Sequence, residues 1–281
     1  MAKRTFSGAT IQNKTGTASA WTSNNPILAK GEIGVEIDTA KIKVGDGVTS
    51  WENLAYIASG RTIINFNSFT QFIMDASAGN KTASITALNN PFTGSGSISL
   101  TLDVSTSGAN GLDTGSLTAS TWYYIFLCYG TSGLCCLAST SSTAPTLPSG
   151  YAQFVRVGAL RYGNSNAFLA SIQHGKYTKY IGTIYQIASG STGGESTFTA
   201  YDVSDHIPET SYIIECLLYN SSNSGGHSCK LAAEASVYTA ELQAFQYNRL
   251  HTFIHLNSRN IYYASNDGGS WTSCNGWVDN L

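Results

Sequence analysis

Beyond residue 60 the carboxylates are few and scattered: Asp75, Asp103, Asp113, Glu195, Asp202, Asp205, Glu209, Glu215, Glu234, Glu241, Asp267 and Asp279. Glycoside hydrolysis needs two such groups flanking one bond. Asp202/Asp205 and Glu209/Glu215 are the formal pairs, and their separation in space is not readable from the sequence. The chain holds no nucleophile elbow, phosphate loop or metal-ligand cluster, and the expectation is that it is not an enzyme. His251, Phe253 and His255 fall on one face of a strand, because side chains alternate with period two. On a threefold axis, one such histidine per chain would present three imidazoles to a metal. With no carboxylate or cysteine close in sequence, they read instead as surface or interface histidines. No metal and no cofactor is expected.

The C-terminal run Tyr262-Tyr263-Ala264-Ser265-Asn266-Asp267-Gly268-Gly269-Ser270-Trp271-Thr272-Ser273-Cys274-Asn275-Gly276-Trp277 sets aromatics beside short polar groups in a Gly-rich turn. Aromatic faces stack on sugar rings, while amides, hydroxyls and carboxylates hydrogen-bond sugar hydroxyls. Tyr262, Tyr263, Asn266, Asp267, Trp271, Asn275 and Trp277 are therefore the candidate receptor-binding residues. The other reading is that Trp271 and Trp277 close the last core.

The elements that position these residues follow from composition. At 281 residues there is room for two or three modest domains. Charged residues make up 11%, against about 25% in typical soluble proteins. Their place is taken by Ser, Thr, Gly and Asn, beside 16 Tyr and 28 Gly, the profile of many short strands joined by tight turns. A net charge of −2 supplies no basic field for a nucleic acid or an anionic membrane. No run of about 18 apolar residues is available to cross a bilayer, and no signal-peptide core follows Met1-Ala2-Lys3-Arg4. Synthesis in a cytosol is expected. The six cysteines (128, 135, 136, 216, 229 and 274) show no CxxC pair or zinc spacing. Cys216 and Cys229 flank the turn Asn220–Gly226 and are placed to face each other across a hairpin, reduced in a cytosol.

The stretch Gly31–Tyr56 organises the N-terminal part. Ile33, Val35 and Ile37 alternate with Glu32, Gly34 and Glu36. Asp38-Thr39-Ala40 is a turn, Ile42 and Val44 alternate again, and Gly45-Asp46-Gly47 closes the segment. Asp38 and Asp46 lack the spacing of a calcium loop. Trp51, Leu54 and Tyr56 are large apolar groups with nothing in so short a segment to cover them, so the piece should pack on other copies or on the next domain. Lys14-Thr15-Gly16, Trp21, Asn25-Pro26-Ile27-Leu28, Gly31-Glu32-Ile33-Gly34, Glu36, Asp38-Thr39, Lys43, Gly45-Asp46-Gly47, Thr49, Trp51 and Leu54 together resemble the N-terminal domain of the phage major tropism determinant family. The resemblance implies an intertwined, trimeric β-prism with the receptor-binding part C-terminal to it. It makes Trp21, Gly31, Glu32, Gly34, Asp38, Gly45, Asp46, Gly47 and Trp51 its fold and trimerisation residues.

Further along, strand-like runs at Thr82–Leu88, Ser97–Val104, Trp122–Leu127, Gly133–Ala138 and Tyr151–Tyr162 are separated by turn clusters and by the Pro145–Gly150 loop. Gly111-Leu112-Asp113-Thr114-Gly115, Trp122-Tyr123, the stretch Pro145–Tyr151, Arg156, Gly158-Ala159 and Arg161 resemble segments of phage tail proteins. From residue 181 strands restart at roughly ten-residue spacing, the all-β sandwich pattern. The expectation is an all-β chain of three parts: a prism over 1–61, a β-sandwich over 62–181 and a β-sandwich tip over 182–281. It would form a homotrimeric tail fibre of the virion. Residues 1–61 would join it to another virion protein of the tail or baseplate, and the tip would bind a host cell-surface receptor, glycan or protein. The alternatives are a head fibre or capsid decoration protein, and a small surface-polysaccharide depolymerase.

Overall fold

A computed structural model describes residues 13–39, 41–56, 71–77, 80–93, 96–183, 185–222, 226–235, 240–245 and 247–281. The boundary expected between residues 61 and 62 and residues 223–225 of the expected Asn220–Gly226 turn lie outside the described residues. The chain forms two compact units, Met1–Ile63 and Ile64–Leu281.

In the first unit, β1 (Lys14–Gly16) runs parallel to β2 (Ile33–Glu36), which pairs antiparallel with β3 (Ile42–Val44). Between β1 and β2 lies a short helix absent from the sequence reading, α1 (Ala18–Asn24). Its signals are at its ends rather than in an apolar period. Thr17 Oγ1 accepts from the Ala20 N–H at 3.2 Å, Asn25 takes the left-handed conformation (φ 35°), and Pro26 follows. Asp38, read as a local turn residue, instead accepts from the Ala18 N–H at 2.8 Å.

Trp51 does not need another copy to cover it, contrary to expectation. It is 1% exposed, stacked on Trp21 with ring centroids 4.1 Å apart, and joined by Leu28 and Leu54. Gly34 lets this happen: a Cβ there would lie 2.5 Å from the Trp51 ring. At Gly45 a Cβ would lie 2.2 Å from the Ala29 carbonyl oxygen. The strands thus turn their polar side inward. Lys43 is buried, its ammonium 4.8 Å from the Trp51 ring centroid and 4.1 Å from that of Tyr56, and it donates to the Trp51 carbonyl at 2.5 Å. Glu36 is buried beside it and accepts from Tyr56 Oη at 2.5 Å and from Thr39 Oγ1. Burial alone would raise the Glu36 pKa, but these hydrogen bonds hold it below its ordinary value. The apolar side, with Ile33, Ile37 and Ile42 exposed and Val35 and Val44 half-buried, faces outward.

The second unit contains β4 (Ile73–Asp75), β5 (Thr82–Ala87), β6 (Ile98–Asp103), β7 (Gly111–Leu112), β8 (Thr121–Gly130), β9 (Gly133–Ser139), β10 (Tyr151–Tyr162), β11 (Ser171–His174) and β12 (Tyr177–Tyr180). It continues with β13 (Tyr185–Ser189), β14 (Gly194–Asp202), β15 (Ser211–Tyr219), β16 (Ser228–Ala232), β17 (Ala240–Phe245), β18 (Arg249–His255), β19 (Asn260–Ser265) and β20 (Trp271–Asp279). One nine-stranded sheet runs β18-β15-β20-β12-β11-β4-β5-β6, with β13 also on β20. Against one half of it packs the sheet β10-β8-β9-β7, and against the other the sheet β14-β19-β16-β17. The outcome is two sandwich cores under a single shared sheet. The apolar run at Trp122–Leu127 is buried on both faces, as continuous hydrophobicity requires: Tyr123, Ile125 and Leu127 enter one core, Tyr124 and Phe126 another.

The segment Val203–Ser211 ties the two sandwiches together. Trp122 Nε1 donates to the Ser204 carbonyl (2.9 Å), Tyr180 Oη to that of His206 (2.7 Å), and Arg161 pairs with Asp205 (2.6 Å). Arg156 reaches across to Thr210 and to Asp279, whose carboxylate is 1% exposed. All six cysteines are buried and outside any disulfide. Cys216 and Cys229 do not flank one hairpin; they lie in different sheets, and the neighbour of Cys216 in its own sheet is Cys274. Burial pushes the thiols of Cys136 and Cys229 up to about 12 and about 11.

Asp46 generates a pH prediction. Its carboxylate accepts from Thr49 Oγ1 (2.5 Å), the Thr49 N–H (2.7 Å) and the Val48 N–H (2.9 Å), which lowers its pKa from 3.8 to about 2. A depressed folded-state value means the stabilisation is complete above the unfolded value and is lost as pH falls through the folded one. The first unit should therefore lose the dispersed indole N–H signals of Trp21 and Trp51 in an NMR acid titration between roughly pH 4 and 2. Asp46→Asn should flatten that dependence and weaken the unit at neutral pH.

Candidate functional site

Across the β18-β15-β20-β12 half of the large sheet, register fixes which side chains share a face. Tyr219 lies opposite Arg249 and Trp271, Leu217 opposite His251 and Ser273, Glu215 opposite Phe253 and Gly276, and Ile213 opposite His255 and Val278. Val278 in turn pairs with Tyr177. The alternate residues Ile214, Cys216, Leu218, Ile254, Cys274 and Trp277 fill the core beneath. The outer face, which the other sheets do not cover, therefore carries aromatic, imidazole, carboxylate and amide groups in rows.

At its centre is a set of five residues from four strands. Phe253 is 52% exposed, and the Tyr177 ring meets it edge-on at 5.9 Å. Tyr177 Oη donates to Glu215 Oε2 at 2.5 Å, and burial together with that bond raises the phenol's pKa. Glu215 is only 7% exposed; its Oε1 lies 3.6 Å from His251 Nδ1. A bulge in β20 between Cys274 and Gly276 leaves Asn275 without a ladder partner, and its Nδ2 lies 3.3 Å from His251 Nδ1. Along the same face, Arg249 stacks on Tyr219 (4.9 Å), which packs on Trp271 (5.3 Å). Among the described residues, no three His, Cys, Asp or Glu side chains come together as a metal site would require.

The C-terminal run, expected to be a Gly-rich turn, is one only over residues 266–270, between β19 and β20. Trp271–Asp279 is a strand hydrogen-bonded on both edges. The bulge at Asn275 reverses the phase of its alternation, which places Trp271 on the outer face and Trp277 inward, 1% exposed against Tyr180 and Trp122. Tyr263 is likewise a core residue, 0% exposed, while its neighbour Tyr262 is half-buried on the other side of β19. Asn266 and Asp267 hold the turn: Asn266 accepts from the Ser228 N–H and donates to the Gly226 carbonyl, and Asp267 accepts from Ser270 Oγ at 2.8 Å. Of the seven candidates, Trp271 and Asn275 reach the aromatic face. His251, Phe253 and His255 were legible as one face by period two. Tyr177 and Glu215 were not, because only strand pairing brings them there. The formal carboxylate pairs are spoken for separately: Asp205 by Arg161, Asp202 by the Ser204 N–H at 2.6 Å, and Glu215 by Tyr177.

Comparison with known proteins adds the decisive sequence match. Residues 11–49 match the major tropism determinant N-terminal domain. That segment holds β1, α1, β2, β3 and the Asp46 turn, in agreement with the resemblance read from its motifs. Among solved structures, the P3c and I1 variants of the major tropism determinant are each 17% identical, with TM-scores of 0.23 and 0.26. Each alignment covers 66% of this chain and 58% of the solved one. The U1 variant is 22% identical with a TM-score of 0.23, covering 66% and 47%. This chain thus spans about half the length of those proteins. Superposition at these scores defines no shared arrangement, and the likeness to the family is the match over residues 11–49. No curated protein matches the chain.

The two tryptophans should separate experimentally. Trp277→Ala removes a buried ring and should cost about 3–5 kcal/mol, lowering the melting temperature by roughly 2–4 °C per kcal/mol for a unit of this size. Trp271→Ala, on the half-exposed face, should cost much less by the same calorimetric measurement.

Proposed function

We propose that this chain is a structural virion protein, a phage tail fibre or receptor-binding protein that attaches the particle to a host surface glycan or protein. The match of residues 11–49 to the major tropism determinant N-terminal domain carries this reading. Residues 1–61 join the fibre to another virion protein and trimerise, residues 62–181 form the intervening sandwich, and residues 182–281 supply most of the receptor face. The aromatic and polar outer face centred on Phe253 is the surface on which the receptor sits, with Trp271 and Asn275 as its contributors from the C-terminal run.

Trimerisation finds support in the first unit. Ile33, Val35, Ile37, Ile42 and Val44 form an apolar sheet face that a single copy leaves largely open. Burying apolar surface is worth about 25 cal/mol per Å², and three copies sharing one core would cover it. Light scattering of the intact chain should give three times 29.9 kDa, and Ile37→Lys should shift the mass towards that of a monomer. A wild-type monomer at micromolar concentration defeats the trimer.

The attachment role is tested on cells. Labelled intact protein should bind the cells on which the particle grows, and excess unlabelled protein should slow particle adsorption. Immunogold labelling should decorate the tail. Failure to bind and failure to compete would overturn the receptor-binding reading, and gold on the capsid would move the protein to the head.

A further inference from the structure

We propose that Phe253, Tyr177, Glu215, His251 and Asn275 form a subsite for an uncharged hexopyranose of the host-surface glycan. This rests on the receptor-binding reading and names the chemistry of its ligand.

Three observations converge on that ligand. First, Phe253 offers an open ring face, half-exposed and braced at its edge by Tyr177, on which the C–H face of a pyranose can stack. Second, hydrogen-bonding groups of both kinds lie at the margin of that ring. Glu215 is directly opposite Phe253 in the ladder and accepts only; Asn275 both donates and accepts; the His251 ring stands between them. Among the described residues, the Tyr177 hydroxyl holds one carboxylate oxygen, and the other faces the imidazole at 3.6 Å, too long for a hydrogen bond, which leaves it open to a donor. A sugar hydroxyl supplies one.

Third, the charge on this patch selects against acids. Among the described residues, the Glu215 carboxylate has no lysine or arginine nitrogen within ion-pair distance; its basic neighbour is the His251 imidazole. The Arg249 guanidinium on the same face is stacked on Tyr219, two ladder positions beyond His251's neighbour Leu217. A uronate or sialate seated on Phe253 would place a second negative charge beside a nearly buried one, where screening by water is weak. Neutral hydroxyls carry no such penalty.

Saturation-transfer NMR on the intact chain tests this, with the methyl glycosides of glucose, galactose and mannose as the neutral probes and glucuronic and N-acetylneuraminic acids as the anionic ones. At least one neutral glycoside should receive saturation from the protein, and neither acid should. Phe253→Ala should weaken that glycoside about tenfold, equivalent to about 1.4 kcal/mol, without moving the melting temperature. Asn275→Ala, a smaller change on the same patch, should weaken it in the same direction and decides the matter if Phe253→Ala melts early. Absence of transfer from every neutral probe, binding of the acids, or undiminished neutral binding in both variants overturns the subsite. A Phe253→Ala variant that changes the mass by light scattering instead marks the patch as a contact between copies, which also overturns it. If cells still bind that variant while sugars never bind the wild type, the receptor-binding reading stands and this subsite alone falls.

Discussion

Tyr177–Lys179 hydrogen-bonds to Gly276–Val278, and through that short antiparallel pairing two sandwiches become one sheet. Strand β20 is the key member. It is paired with β15 along one edge and with β12 and then β13 along the other, so no part of it is an edge open to further pairing. Gly276 sits at the crossing because nothing larger fits: a Cβ would lie 2.3 Å from the Thr178 carbonyl oxygen. The Val203–Ser211 segment then seals the junction with polar contacts. Burying the Arg156–Asp279 pair there carries a desolvation cost that offsets its Coulomb attraction; its Thr210 bond adds direction, so its clearest contribution is to fix the register of one sandwich on the other.

The first unit solves a different problem. With only a few short elements it cannot cover two faces, and it chooses to cover the polar one. Trp51 packs over Gly34 and stacks on Trp21, the Trp51 and Tyr56 rings shield Lys43, and Glu36 is satisfied by hydroxyl donors. The isoleucines of the same strands are left outward. A protein that ended its folding there would expose an apolar sheet face on a small body, the pattern that marks an interaction surface rather than a finished core.

On the large sheet, period two and one bulge together give a single strand two unlike jobs. In β20, Trp277 and Cys274 consolidate the core, while Trp271 and Asn275 face outward. The extra residue at Asn275 reverses the phase of the alternation, so Cys274 and Trp277, three residues apart, share the inner face while the ladder continues on either side. The rigid core beneath holds the outward groups in place, which limits the conformational entropy lost when something binds to them.

Much of this chain was legible from its residues alone. Alternation and turn chemistry identified the all-β class, and Gly34, Gly45, Asp46, Trp21 and Trp51 marked the N-terminal domain by type and order. The continuous run at Trp122–Leu127 announced a strand buried on both faces. These are local properties, set by the backbone's two-residue period and by the steric demands of single positions. What the sequence could not decide was partnership. Nothing local to Trp51 says that Trp21 will cover it, nothing in Trp271 and Trp277 says which faces inward, and Tyr177 and Glu215 are 38 residues apart until β12 and β15 flank the same strand. Strand pairing between distant segments is settled by the whole core closing at once, and so the aromatic face exists only in the tertiary structure.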